Sequence, residues 1–167
     1  MVIAISTFQQ LDISELWIAF GTGTNFCYVP FHDIVKELGR TRAGSLIACH
    51  AFTGCDQTSS FVGRGKNTAW ATWKVFEEIT PAFVALSSMP TEDRLKDMMP
   101  EIERFVTLMY DRTSTCTTVN EARKDLFTRK GRSIEIIPAT YGTLLERVAD
   151  QAGYCWGQTL TSNPPLP

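Results

Sequence analysis

Residues 47–75 read IACHAFTGCDQTSSFVGRGKNTAWATWKV. The first residues of this stretch predict a core helix over 45–52, because a helix that is apolar nearly all round must be buried. The sharp turn TGCD follows at 53–56, and the turn GRG at 63–65 opens a second predicted helix over 67–78. The stretch therefore predicts two helices joined by a glycine-containing loop, with Asp56 in the first turn.

The second turn has the chemistry of a phosphate site. A G-x-G turn that opens a helix presents successive backbone N–H groups and the positive end of the helix dipole. Glycines allow a ligand to approach the backbone closely, whereas basic side chains add charge and a threonine adds a hydroxyl. The candidate phosphate-binding residues are Gly63, Arg64, Gly65, Lys66 and Thr68. On spacing alone, an ordinary turn between a loop and a helix fits equally well.

Strands are predicted only before this stretch. MVIAIS at 1–6 predicts a buried strand, and apolar runs at 16–20 and 26–29, separated by GTGTN, predict a β-hairpin. Helical spacing predicts later helices over 31–38, 82–87 and 101–110, one that begins after Thr118 and ends at Lys130, and one from Thr140 to 153 or 156. Gly39 is expected to end the helix over 31–38, and Thr80, followed by Pro81, to cap the helix over 82–87. Pro100 is expected to open the helix over 101–110, and Thr118 to cap the next.

This order of elements predicts the α/β class. Two or three N-terminal strands are followed by a mostly helical extension, an arrangement typical of the second half of an α/β domain. We expect an α/β portion over 1–78 and the helical extension over 79–157. The uncharged tail at 158–167 holds three prolines and is expected to be disordered.

Composition excludes several classes of protein. The chain has 167 residues, 44% apolar and 20% charged, as expected for one globular domain. Its longest apolar runs of about five residues are far short of a membrane span, and no secretory signal is recognisable. We expect an intracellular protein, nuclear or cytoplasmic, that does not act at a membrane. Its five cysteines are an odd number without a C-x-x-C pair, which favours reduced thiols. Cys49, His50 and Cys55 lie close together in sequence. This cluster fits either a set of metal ligands or a set of buried core residues.

Charge is unevenly distributed along the chain. The net charge of −2 excludes a uniformly basic nucleic-acid-binding protein. Residues 77–111 hold eight acids and three bases, a net of −5, whereas residues 112–132 hold six bases and two acids, a net of +4. The basic stretch fits either contacts to phosphates or a solvated helix face.

The pairing of the two turns resembles the flap-endonuclease (XPG-like) group of the PIN-like nucleases. In that group a G-S-D or G-C-D turn supplies a metal-binding aspartate, and a G-I-G-x-x-x-A turn in a helix–two-turn–helix (helix-hairpin-helix) element grips the nucleic-acid backbone. The matching positions are Gly54, Cys55 and Asp56, and then Gly63, Gly65 and Ala69. Arg64 replaces the usual apolar residue between the glycines. The resemblance implies that Asp56 is a catalytic residue that binds Mg²⁺ or Mn²⁺.

A second resemblance covers most of the chain. A family of animal proteins, many of them spread with mobile elements, shares the block HAFTGCDTTSxFxGKGKKTAW and the later blocks LERFxVxxYDRTS and VNEARxxLF. Here these are residues 50–70, 102–114 and 119–127. Longer relatives carry D-x-D and EEADT blocks upstream, similar to the acidic clusters of the nuclease superfamily. Neither block occurs in this sequence.

These observations leave three functional hypotheses. The first is part of a flap-nuclease-like domain whose parent reaction is metal-dependent phosphodiester hydrolysis. We expect this chain alone to be inactive, because two-metal hydrolysis needs several carboxylates. The second is a non-catalytic nucleic-acid-binding module that binds DNA in preference to RNA. The third is a degenerate mobile-element remnant or protein-interaction domain, with a protein partner covering the N-terminal strand.

Overall fold

The structure, a computed structural model, describes residues 2–8, 11, 13–55, 60–88, 90–129 and 137–162, with only the backbone at 6, 7 and 153–162. The chain is mostly helical with a small two-stranded antiparallel sheet, which agrees with a coarse α/β class. In chain order the strands and helices are α1 (Val2–Phe8), β1 (Trp17–Phe20), β2 (Cys27–Pro30), α2 (Phe31–Leu38), α3 (Arg40–Gly44), α4 (Leu46–Phe52), α5 (Lys66–Val75), α6 (Thr80–Leu86), α7 (Glu92–Tyr110), α8 (Val119–Thr128) and α9 (Tyr141–Ser162).

The prediction of a strand over residues 1–6 is wrong, because residues 2–8 form helix α1. A short apolar run does not distinguish a strand from a buried helix. A helix satisfies its backbone hydrogen bonds internally, whereas a strand here would need a neighbouring strand to pair with. Ile5 is buried with Phe31 and Ala43 in a small second core beneath the hairpin, while Ile3 on the same helix is half exposed.

The β-hairpin is confirmed. Strands β1 and β2 pair antiparallel, with Ile18 opposite Val29 and Phe20 opposite Cys27. Ile18 and Val29 pack against the small core. Helix α2 then begins directly at the end of β2 and stops at Gly39, whose positive φ of 76° ends it as the sequence predicts.

The main core is formed by helices α4 to α9. Its centre is a cluster of aromatic rings from α4, α5, α6 and α7, with centroid distances of 5.0–6.3 Å. These rings belong to Phe52, Trp73, Phe83 and Phe105. The core takes residues from both sides of the boundary expected at 78/79, so the two segments share one hydrophobic interior.

Two boundaries in the helical part differ from the sequence analysis. Helix α7 begins at Glu92, capped by the Thr91 hydroxyl, so Pro100 lies inside it and does not open it. The buried positions Leu95 and Met99 continue the apolar stripe N-terminal to the proline, which favours one long helix. Helix α9 continues to Ser162, beyond the expected boundary at 157, and residues 163–167 lie outside the described residues.

Candidate nucleic-acid interface

The glycine-containing loop joins α4 to α5, as the sequence predicts. Gly54 leaves the end of α4 with a φ of +94°, and Gly63 has a φ of +65° in the second turn. Both values lie in the left-handed region that glycine adopts without strain. The second turn is tight, since the Arg64 N–H donates to the Phe61 carbonyl over 3.0 Å. Gly65 then immediately precedes α5 with ordinary extended dihedrals.

Asp56 lies outside the described residues, as does all of 56–59. Among the residues that the structure does describe, no three His, Cys, Asp or Glu side chains are grouped so as to hold a metal ion. The Mg²⁺ or Mn²⁺ site that the resemblance implies at Asp56 therefore stays a prediction.

Arg64 is turned into the protein. Its Nη2 donates to the backbone carbonyl of Tyr110 over 3.1 Å, and its guanidinium lies 5.1 Å from the centre of the Tyr110 ring. Tyr110 is the last residue of α7, so the cation sits at the negative end of that helix dipole. Arg64 thus fastens the second turn to the C-terminus of α7.

Lys66 plays the equivalent part at α4. Its ammonium group donates to the backbone carbonyls of His50 and Gly54, and to the Thr53 hydroxyl over 3.1 Å. These acceptors lie at the C-terminal end of α4, where carbonyls lack partners within the helix. Lys66 therefore connects the first residue of α5 to the end of α4, and the two basic residues of the turn both bind backbone carbonyls of the protein.

The start of α5 lies at the surface. Among the described residues no side chain caps it, and the N–H groups of Asn67 and Thr68 lie at the positive end of its dipole. Gly65, Lys66 and Asn67 are exposed and Thr68 is half-buried. One turn further on, Ala69 is fully buried, as expected for close helix packing. The arrangement places an exposed helix start above a turn that two cations hold in place.

Arg147, a residue of α9 that no sequence motif indicates, also contacts this loop. Its Nη2 donates to the Ser60 carbonyl over 3.2 Å, and its guanidinium lies 4.1 Å from the centre of the Phe61 ring. Burial lowers the pKa of Arg147, and the nearby Tyr110 partly opposes this effect. The contact joins residues 87 positions apart, so no local sequence pattern could have indicated it.

The basic stretch at 112–132 is partly neutralised by the protein itself. Arg129 forms ion pairs with Asp111 and Asp125, both at 2.5 Å, and Arg123 donates to the Pro138 carbonyl. Arg112 and Lys124 are not buried, whereas Lys130 and Arg132 lie outside the described residues. Within the described part, the stretch therefore resembles a solvated helix face more than a row of phosphate ligands.

Of the remaining candidates, Trp73 and Cys49 are core residues, whereas Trp70, His50 and Cys55 are half-buried. Trp73 is fully buried and packs edge-to-face against the half-buried Trp70, with centroids 5.6 Å apart, so Trp73 cannot stack on a nucleic-acid base. Cys49 is buried, and burial raises the pKa of its thiol to about 12 in spite of the nearby Lys66. Burial therefore favours the neutral thiol over the thiolate, which is the form that acts as a nucleophile.

Comparisons with protein-family models, with curated proteins and with solved structures find no match to this chain. Across the described residues, no helix combines the length and the apolar character needed to cross a membrane.

Proposed function

We propose that this chain is part of a PIN/flap-nuclease-like domain and binds the phosphodiester backbone of a nucleic acid at the start of α5. The observation that carries the proposal is the exposed N-terminus of that helix, which no side chain caps among the described residues and where Asn67 and Thr68 present backbone N–H groups. A phosphate oxygen is a natural acceptor for such donors, because the helix dipole adds electrostatic attraction.

In this proposal Arg64 and Lys66 act as positioning residues. Their side chains donate hydrogen bonds to the backbone carbonyls of Tyr110, His50 and Gly54. These bonds hold the turn rigid behind the binding surface. Because the turn is already rigid, it loses little conformational entropy when its N–H groups bind a ligand. Thr68 adds a half-buried hydroxyl in the first turn of α5.

Recognition of this kind reads the backbone and not the bases, so it carries little sequence specificity. We propose DNA in preference to RNA, following the flap-nuclease resemblance, and a nuclear or cytoplasmic site of action. We expect the chain by itself to bind nucleic acid and not to cleave it. Two-metal hydrolysis needs several carboxylates, and the resemblance assigns only one of this chain, Asp56, to a metal. Mg²⁺-dependent cleavage by the purified chain, abolished by Asp56→Ala, would overturn that part of the proposal.

Asn67→Asp tests the site because it separates binding from stability. An acid in the first turn of a helix interacts favourably with the dipole, so the melting temperature should stay the same or rise. The same charge repels phosphate, so affinity for a fluorescein-labelled DNA duplex should fall about tenfold at 50 mM salt. Asn67→Ala is the matched control and should bind as the wild type does. Equal affinity of all three proteins would overturn the proposal.

A second candidate function is self-association through the hairpin. Residues 16–30 carry no charged side chain, and four aromatic side chains there are 50–63% exposed: Trp17, Phe20, Phe26 and Tyr28. An open strand edge without charges is a template for pairing with another strand. Strand β1 can pair antiparallel with β1 of a second copy, which makes a self-complementary contact. The protein partner expected over residues 1–6 stays a separate prediction.

Light scattering across a concentration series tests this candidate. The wild type should dimerise as its concentration rises, and Ala19→Lys, an exposed position in β1, should remain a monomer. Lys74→Ala, which lies on α5 away from the hairpin, should dimerise like the wild type. A wild type that is monomeric at every concentration would exclude the candidate.

A further inference from the structure

A surface groove of about 700 Å³ is lined by residues of the α2–α3 junction, α6 and the first turn of α7. Three arginines contribute to it, Arg40 and Arg42 from α3 and Arg94 from α7, together with one carboxylate, Glu77. Three cations and one anion give a formal charge of +2, in a chain whose net charge is −2. We name this feature the arginine groove.

Arg42 is fixed within the groove. Its Nη2 lies 2.9 Å from Oε1 of Glu77, and its guanidinium lies 5.5 Å from the centre of the buried Trp73 ring. Its side chain is 21% exposed, so it is not closed off from solvent. A guanidinium held by a carboxylate and an aromatic ring loses little conformational freedom when it binds an anion.

Arg94 occupies a position that does not favour its own helix. It is the third residue of α7, and its backbone N–H donates to the capping hydroxyl of Thr91. A cation in the first turn of a helix meets the positive end of the dipole, which is unfavourable. Within the described residues its guanidinium makes no hydrogen bond or ion pair. A bound anion would account for a cation at this position.

Thr80 adds a hydroxyl donor to the groove. Its Oγ1 accepts a hydrogen bond from the Trp73 indole N–H over 2.8 Å, so the hydroxyl proton remains to be donated. Leu38 and Val84 supply apolar lining next to these polar groups. The groove is much larger than a phosphate ion and falls in the size range of small-molecule sites.

We propose that the arginine groove binds a phosphate monoester carried on an organic group of nucleotide size. Guanidinium groups suit the doubly charged phosphate because they form paired, charge-assisted hydrogen bonds. The apolar lining contacts the organic group. The phosphate comes either from a free mononucleotide or from the terminal phosphate of a nucleic-acid strand. The inference does not depend on the backbone-binding site at α5, since the two sites share no residue.

Calorimetric titration of the full chain tests the proposal with four probes. Adenosine monophosphate should bind and adenosine should not, which would identify the free nucleotide as a source. A 5′-phosphorylated oligonucleotide should bind more tightly than its 5′-hydroxyl counterpart, which would identify the strand end as a source. Absence of both differences would overturn the proposal.

Variants connect these differences to the groove. Arg94→Gln should weaken the phosphate-dependent binding about tenfold, the loss expected for one charge-assisted hydrogen bond, and Arg42→Gln should act in the same direction. Arg112→Gln changes the same charge at an exposed site outside the groove and should have no effect. Asn67→Asp should lower the affinity for both oligonucleotides but keep the difference between them. A phosphate effect that survives Arg94→Gln and Arg42→Gln would place the site elsewhere.

Discussion

The guanidinium of Arg64 donates to the backbone carbonyl of Tyr110 over 3.1 Å and lies 5.1 Å from the centre of the same residue's ring. The two residues are 46 positions apart. The contact joins the loop before α5 to the C-terminus of α7. The shape of the candidate phosphate-binding turn therefore depends on a helix that the local motif does not include.

Arg64→Ala should destabilise the fold as well as weaken nucleic-acid binding. The substitution removes a charge-assisted hydrogen bond and leaves the Tyr110 carbonyl without that donor, which costs about 2 kcal/mol. Urea unfolding measures this loss, with Arg112→Ala as a control that should cost less than about 0.5 kcal/mol. If Arg64→Ala lowers affinity without lowering stability, the side chain contacts the ligand directly and is not a positioning residue.

Cys49 should make stability depend on pH in the alkaline range. Burial raises the pKa of this thiol from 9.0 to about 12, so the folded state holds the proton more tightly than the unfolded state does. The contribution is fully present below pH 9 and is lost progressively between pH 9 and pH 12. The free energy of unfolding should fall by up to about 1.4 kcal/mol per pH unit above pH 9 through this group alone.

Urea titrations between pH 8 and pH 9.8 test this slope against Cys49→Ala, which should lack it. Burial also raises the pKa of Tyr110, but this residue contributes alike to the wild type and to Cys49→Ala, so the difference between the two slopes reports Cys49. Labelling gives a second measurement. The exposed Cys27 should react with iodoacetamide at pH 8, and Cys49 should react only when the chain unfolds. Equal labelling rates at the two cysteines would contradict the assignment.

Local patterns were enough for the parts of the fold that depend on neighbouring residues. The hairpin, helix α2 with its stop at Gly39, and the Thr118 cap of α8 all follow from turn and cap chemistry, and the Thr118 hydroxyl does accept from the Glu121 N–H. The prediction of an N-terminal strand was wrong because the apolar residues of that run fit either a strand or a helix. The packing of Ile5 against Phe31, 26 positions away, favours the helix.

The candidate site was predictable as a turn but not as a set of contacts. The motif placed Gly63 and Gly65 correctly before a helix, since both positions reflect local backbone geometry. It could not reveal that Lys66 binds the end of α4 or that Arg147 contacts Ser60, because both contacts depend on the packing of distant helices. Similarly, Thr80 was expected to cap α6, yet its hydroxyl accepts a hydrogen bond from Trp73.

Glu103 should control the start of α8. Its carboxylate accepts a hydrogen bond from the Val119 N–H over 3.0 Å, while burial raises its pKa. Glu103→Ala should cost about 1–2 kcal/mol, because it removes a partner from the first turn of that helix. Glu103→Gln keeps an acceptor oxygen without the charge and should cost less.

The same carboxyl has a defined pH signature. Because its pKa is raised in the folded state, its contribution to stability is fully present below the unfolded pKa and is lost as the pH rises through the folded value. Glu103→Gln should remove that contribution, so the difference in unfolding free energy between wild type and variant should change between acid and neutral pH. A difference that is constant across this range would show that the group titrates alike in both states.

Pro100 should be a weak point of helix α7 in the main core. A proline inside a helix lacks the N–H that would donate to the carbonyl four residues earlier, here that of Lys96, and its ring crowds that carbonyl. Pro100 is exposed, so Ala can replace it without leaving a cavity. Pro100→Ala should raise the free energy of unfolding by about 1–3 kcal/mol. Asp97→Ala, at an exposed position in the preceding turn, should change it by less than about 0.5 kcal/mol. A loss of stability in Pro100→Ala would contradict this prediction. It would mean that the proline bends α7 so that Met99 and Ile102 pack in the core, and that this packing stabilises the fold more than the missing hydrogen bond would.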